Sequence, residues 1–140
     1  MSRGYCFVWV EKKHTVEIIK IMKDFEFEYV DSMCWVKQNL NQTFSTTHSE
    51  LFPKAKLSLF IFRKMNALTK EIDLKHQRNP DVVFDFEKDN PRERPPIVFH
   101  IIETLLCSSN RFLELWSEGC YLSCKYKTSS KWMSIKENKT

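Results

Sequence analysis

At 140 residues and 16.8 kDa, with 42% hydrophobic residues, the chain has the size of one domain and enough apolar side chains for a packed core. Its net charge of +4 permits an anionic partner without requiring one. Only two glycines are present, Gly4 and Gly119, so neither of the glycine-rich loops that cradle phosphates, G-x-G-x-x-G and G-x-x-x-x-G-K-[ST], can be written. Nucleotide binding through such a loop is therefore excluded.

The first third of the chain predicts a strand, a helix and a second strand. Residues 4–10 (GYCFVWV) are short, aromatic and β-branched, as in a buried strand. Residues 14–25 place apolar side chains at helical spacing, with Glu and Lys between them. Residues 27–37 (FEYVDSMCWVK) again have the composition of a strand. Because parallel strands need a crossover connection, this order predicts a βαβ unit and a right-handed crossover.

A polar loop at residues 38–55 separates this unit from the remaining elements. They are predicted as strands at 55–64 and 81–86, a helix at 96–107 and a strand at 111–116. Residues 117–140 have no periodicity and contain one apolar pair, Trp132-Met133. The pattern favours an α/β fold with a mostly parallel sheet, in one domain over 1–134 with a polar tail at 135–140.

The cysteines and histidines form no recognisable metal-binding pattern. Cys120 and Cys124 have C-x3-C spacing, but a structural zinc site takes four ligands, usually from two such pairs, and the four histidines occur singly. We therefore expect no metal. An odd number of cysteines, five, without a visible signal peptide or an apolar run of ~20 residues, predicts an intracellular, reducing compartment.

Four short motifs occur in the chain in a recognisable order. They are GYCFVWV at 4–10, WVKQN at 35–39, Arg94-Pro95 before a helix containing Ile101-Ile102-Glu103, and ELWSE at 114–118. In this order and spacing the chain resembles the N6-adenine methyltransferase family of mRNA and DNA methyltransferases, the MT-A70 type. The corresponding family motifs are G-[FY]-x-F-x-W-V, W-[VI]-K-x-N, K-P before a helix ending I-I-E, and E-L-F-G-R. The resemblance implies a partial, Rossmann-like methyltransferase fold.

The resemblance also implies a role for the loop at 38–55. In the family, W-[VI]-K-x-N closes the strand that leads into an interface loop, through which a catalytic and a non-catalytic subunit embrace. The interface residues predicted on this basis are Trp35, Lys37, Asn39, Phe44, Leu51 and Phe52.

Departures from the family pattern imply a non-catalytic chain. The family's catalytic D-P-P-W precedes the first matching strand, whereas here only three residues precede Gly4. Arg94 and Glu114 keep positions that contact S-adenosylmethionine in active members, but Glu118 replaces an arginine and GCYLSCKY replaces R-P-H-N. We therefore expect no catalytic residue and no cofactor in this chain.

The function expected from this resemblance is that of a non-catalytic subunit in a nuclear, heterodimeric N6-adenine methyltransferase. The catalytic partner would carry D-P-P-W and S-adenosylmethionine, and further DNA-binding subunits could join. A bias toward Lys, Asn, Phe and Ile, as in AT-rich ciliate genomes where this family methylates DNA adenines, favours DNA over RNA. The residues predicted to bind nucleic acid are Lys54, Lys56, Arg63 and Lys64.

Two alternatives remain open from the sequence. The chain could be the C-terminal part of an active S-adenosylmethionine-dependent enzyme, in which case Glu118 would still need an explanation. It could also be a free-standing basic nucleic-acid-binding module, although no recognisable motif with stacking aromatic residues is present.

Overall fold

The computed structural model describes residues 4–48, 51–64, 79–87, 93–107, 111–115 and 131–135. The chain divides into two compact units. The first comprises Met1–Ile72 with Pro80–Glu87, and the second comprises Asp73–Asn79 with Lys88–Thr140. The predicted domain boundary at residue 134 stays a prediction.

The described residues of the first unit form a four-stranded sheet and one α-helix. Its elements are β1 (Tyr5–Val10), a 3-10 turn at Lys12–His14, α1 (Thr15–Asp24), β2 (Phe27–Gln38), β3 (Lys56–Lys64) and β4 (Val82–Phe86). The strand order is β1-β3-β2-β4. Strand β3 is antiparallel to both of its neighbours, and β4 is parallel to β2.

The prediction of an α/β fold is confirmed, but the prediction of a mostly parallel sheet is wrong, because the sheet is mixed. Strands β1 and β2 run in the same direction, as expected for a βαβ unit, yet β3 lies between them. The reason is the segment at 38–55, which is closed by two antiparallel bridges, Gln38 with Phe44 and Thr47 with Lys54. The chain therefore turns back beside β2 instead of crossing over the sheet.

The two faces of this sheet follow from its register, because side chains alternate between faces and paired residues share one. One face, here called the Trp face, carries Trp9, Leu59, Met33, Trp35 and Val83. The opposite face, here called the Phe face, carries Phe60 and Phe62 of β3 and Phe84 and Phe86 of β4. The most deeply buried residues of the sheet are Trp35 and Leu59 on the Trp face and Phe62 on the Phe face.

Two sharp turns of this unit use left-handed backbone without glycine. Glu26 has φ 62° directly after α1, and its N–H donates to the Lys23 carbonyl at 2.9 Å. This is the position after a helix C-cap where glycine is usual. Gln42 has φ 62° in the turn that follows β2. Left-handed backbone costs a residue with a Cβ about 1–2 kcal/mol, and in a chain with only two glycines non-glycine residues occupy both turns.

The second unit contains α2 (Ile97–Leu105), β5 (Phe112–Glu114) and β6 (Trp132–Ser134), and β5 and β6 are parallel. The predicted helix at 96–107 and strand at 111–116 are confirmed with shorter ends. Strand β6 was not predicted, because it lies in the stretch without periodicity. Its Trp132 is held by aromatic packing, stacked on Phe112 and edge-on to Phe99, with both centroid distances 4.8 Å. Among the described residues, neither helix is long and apolar enough to cross a membrane.

Candidate partner and nucleic-acid interface

The segment between β2 and β3 forms two closed turns. The first turn is held by Asn39, whose N–H donates to the Thr43 carbonyl at 2.8 Å and whose Nδ2 donates to Thr43 Oγ1 at 3.1 Å. Asn and Thr side chains that bond to nearby backbone favour such turns, and a left-handed residue, here Gln42, is usual in three-residue loops. The second turn is closed by two hydrogen bonds between Thr47 and Lys54, at 2.9 and 3.1 Å.

The three apolar loop residues among the six predicted interface residues are exposed on these turns. The exposed fractions are 58% for Phe44, 85% for Leu51 and 72% for Phe52, and Leu40 in the first turn is also exposed. They therefore do not fold back onto the core of this chain. These four side chains belong to one loop, and exposed apolar surface with polar surroundings is typical of protein interaction sites.

Trp35, in contrast, lies in the core and is only 2% exposed. Its Nε1–H donates to the Asp85 carbonyl at 3.0 Å, which joins β2 to β4. Its ring is edge-on to Trp9, with a centroid distance of 6.4 Å, and the Lys37 ammonium lies 5.8 Å from its centroid. Trp35 can therefore affect a partner only through the positions that it gives to Lys37 and to the start of the loop.

A charged cluster on the Trp face joins the loop to the ends of β2 and β4. The Glu87 carboxylate accepts hydrogen bonds from Lys37 Nζ, at 2.9 Å, and from the hydroxyl of Ser45, a buried polar residue. Hydrogen bonding from Ser45 first, and then from Lys37 together with its positive charge, lowers the pKa of Glu87 below its ordinary value. Sequence reasoning selected Lys37 but not Glu87, since the two residues are 50 positions apart and no local pattern links them.

We expect the cluster around Glu87 to make the free energy of unfolding depend on pH. Because the pKa of Glu87 is lower in the folded chain, its contribution to stability is complete above the ordinary pKa that it has in the unfolded chain and is lost as the pH falls through the folded pKa. Between pH 6 and pH 3, the urea midpoint of the wild type should therefore fall more than that of Glu87→Gln. Asp24→Asn, at an exposed carboxylate of α1, is the control and should follow the wild type. Parallel curves for wild type and Glu87→Gln would contradict the prediction.

The four basic residues predicted to bind nucleic acid do not lie together. Lys54 and Lys56 lie at one end of β3, and Arg63 and Lys64 lie at the other, roughly 20 Å away at 3.3 Å per residue. Arg63 pairs with Glu28 at 3.2 Å, on the Trp face.

Lys64, at the same end of β3 as Arg63, also has partners within the chain. It pairs with Glu26 at 3.0 Å, donates to the Phe25 carbonyl, and lies 5.1 Å from the centroid of the Phe27 ring. The end of β3 with Lys54 and Lys56 is therefore the better candidate for contact with phosphates.

Arg94 and Glu114, the two residues that the resemblance placed at cofactor-contacting positions of the family, lie in the second unit. Glu114 accepts a hydrogen bond from the Ser134 hydroxyl at 2.8 Å, and Arg94 Nη1 donates to the Glu93 carbonyl at 3.1 Å. Glu118 and the GCYLSCKY segment lie outside the described residues. The carboxylate of Glu114 is thus already engaged within the chain.

In the part of the chain that the structure describes, no group of three His, Cys, Asp or Glu side chains could together hold a metal ion. Cys120 and Cys124 lie outside that part, so the expectation for them stays a prediction. Cys6, Cys34 and Cys107 carry free thiols, and burial raises the pKa of the Cys6 thiol.

The family comparison covers nearly the whole chain. The MT-A70 family model matches residues 1–135, which include the whole first unit, the loop between β2 and β3, and all of the second unit except its last five residues. No curated protein matches the chain.

Proposed function

The chain belongs to the MT-A70 methyltransferase family, and we propose that within this family it is a non-catalytic subunit of a heteromeric N6-adenine methyltransferase complex. It binds and stabilises a nuclear catalytic subunit that carries D-P-P-W and S-adenosylmethionine, and it helps to bind nucleic acid, with DNA preferred over RNA. The observation that carries the proposal is the loop between β2 and β3, which presents apolar side chains to solvent from a hydrogen-bonded framework.

The geometry of the loop supports binding to another chain. Its backbone is fixed by the two bridges, so Phe44 and Lys54 need little ordering on association. Exposed Leu51 and Phe52 provide apolar surface among polar neighbours, and a few such anchors usually carry most of the binding energy of an interface. The Glu87 cluster fastens the base of the loop to the sheet through Ser45.

The absence of catalysis is supported by residues of this chain. Glu118 stands where the family motif E-L-F-G-R has an arginine, which reverses the charge at that position. The Glu114 carboxylate is hydrogen-bonded to Ser134.

Co-expression with a D-P-P-W-containing family member of the same genome tests the proposal. We expect the two chains to purify as a stoichiometric complex with methyltransferase activity on adenine-containing DNA. Replacing the aspartate of the partner's D-P-P-W by alanine should abolish this activity. The 140-residue chain should neither transfer methyl groups nor bind S-adenosylmethionine in calorimetry.

Two results would decide against the proposal. A micromolar dissociation constant for S-adenosylmethionine on this chain would favour the alternative of an active enzyme's C-terminal part. Failure to associate with any D-P-P-W chain, together with binding to DNA, would favour a free-standing nucleic-acid-binding module.

A further inference from the structure

The Phe face of the sheet is open beside its edge strand β4. Phe84 and Phe86 are 60% and 42% exposed, and as residues i and i+2 of one strand they lie roughly 7 Å apart on the same face. Val36 of β2 is paired with Phe84, and Lys56 of β3 is paired with Val36 on its other side. This register places Lys56, which is exposed, in the same row as Phe84, two strands or roughly 10 Å away.

A second row adds another aromatic ring. Gln38 is paired with Phe86 on one side and with Phe44 on the other, so all three side chains lie on the Phe face. The open area therefore contains three exposed phenylalanines and a lysine. We name this area the Phe platform and define it by Phe84, Phe86 and Lys56, whereas Phe44 beside it belongs to the loop that we propose to bind the catalytic subunit.

Charge is sorted between the two faces of the sheet. The acidic residues of the strands, Glu28, Asp31 and Asp85, all lie on the Trp face, as does Glu87 just after β4. By the same register, no strand residue on the Phe face of the described sheet is acidic, and this face carries Lys56 and Lys64. A polyanion therefore meets no carboxylate from the strands when it approaches the Phe platform.

We infer that the Phe platform binds single-stranded nucleic acid, with bases stacked on Phe84 and Phe86 and a phosphate held by Lys56. The inference rests on the nucleic-acid-binding part of the proposed function and identifies the surface and the form of the ligand. Single-stranded segments expose the faces of their bases, which stack on aromatic side chains of a sheet, and a neighbouring cation holds the backbone. A duplex keeps its bases stacked inside and gains only the contact with Lys56.

Stacking can be separated from general apolar docking by leucine substitution. The double variant Phe84→Leu/Phe86→Leu keeps an apolar surface and removes both aromatic rings. The full chain, fused to maltose-binding protein, is titrated into fluorescein-labelled 20-nucleotide oligothymidylate and into the same strand annealed to oligodeoxyadenylate. We expect the wild type to prefer the single strand and the double variant to bind it roughly tenfold or more weakly, because each stacked base contributes substantially to such binding. Phe44 is left unchanged so that the loop stays intact.

The control variants replace an exposed phenylalanine and an exposed lysine that lie away from the Phe platform. Phe25→Leu removes an exposed ring beside α1 and should bind like the wild type. Lys56→Ala should reduce the slope of log K against log salt by about 0.7, the value for one phosphate contact on a single strand, whereas Lys20→Ala on α1 should leave the slope unchanged.

Three outcomes would overturn the inference. They are a wild-type chain that does not bind the single strand at low salt, equal affinity for single strand and duplex, and a leucine double variant that binds like the wild type. Co-purification with the catalytic chain tests the proposed function independently of DNA binding. If the leucine variant binds DNA normally and Phe84→Ser/Phe86→Ser no longer co-purifies with the catalytic chain, the platform is a protein-docking surface and the inference is wrong.

Discussion

Replacing Phe44, Leu51 and Phe52 together by serine is expected to abolish co-purification of this chain with its catalytic partner. All three side chains are exposed in the chain itself, so the change removes apolar surface available to a partner without opening the core. Interface anchors of this kind each contribute about 2 kcal/mol or more. Losing three should weaken the complex by roughly four orders of magnitude or more, at about 1.4 kcal/mol for each factor of ten.

The measurement is affinity purification of a tagged catalytic chain, followed by size-exclusion chromatography and a methyltransferase assay. A control triple variant, Val16→Ser/Ile21→Ser/Phe25→Ser, removes comparable exposed apolar side chains around α1 and should co-purify normally. If the loop variant co-purified at wild-type yield with full methyltransferase activity, the proposed role of the loop would be wrong.

Trp35→Ala is expected to lower the free energy of unfolding by about 3–5 kcal/mol, the usual loss for a large buried aromatic residue. Trp35 is almost fully buried, contacts Trp9 and joins β2 to β4 through the Asp85 carbonyl. The loss is a large fraction of a typical domain stability of about 5–15 kcal/mol. Lys37 and the loop start should move with it, so co-purification should also weaken.

Trp35→Phe separates packing from hydrogen bonding, because it keeps an aromatic ring and removes only the indole donor and part of the volume. It should lose about 1–2 kcal/mol. Urea unfolding followed by circular dichroism measures both variants, with Phe25→Ala as the exposed control. An unfolding free energy for Trp35→Ala within 1 kcal/mol of the wild type would show that the ring does not hold the two strands together.

Local pattern predicted most of the elements because their signals are short-range. Residues 4–10, 27–37 and 55–64 are aromatic and β-branched, and the structure has strands there within one residue at each end. The helices at 15–24 and 97–105 have the apolar spacing that predicted them. Strand β6 was missed because its position depends on the packing of Trp132 against Phe99 and Phe112, which are distant in sequence.

The candidate site was predictable only in part. Phe44, Leu51 and Phe52 were selected as apolar residues of a polar loop, and the structure exposes them. Trp35 was grouped with them by motif, but a large aromatic residue in the middle of a strand is buried by its neighbours.

The Phe platform was not predicted at all. Phe84 belongs to an ordinary strand pattern, and its exposure follows from the position of β4 at the edge of the sheet. The exposure of a strand residue depends on which other elements cover it, and the local sequence pattern does not predict which elements those are.

The sequence by itself determined the family, the order of strands and helices along the chain, and the loop that carries the apolar anchors. These features depend on side-chain type, periodicity and motif order, all of which can be read along one chain. The tertiary structure alone decided that β3 lies between β1 and β2, that Lys37 pairs with Glu87, and that Lys56 shares a face with Phe84. Strand pairing decides these relations, because one antiparallel return sets the register across the sheet and a shift of one residue would move every side chain to the opposite face.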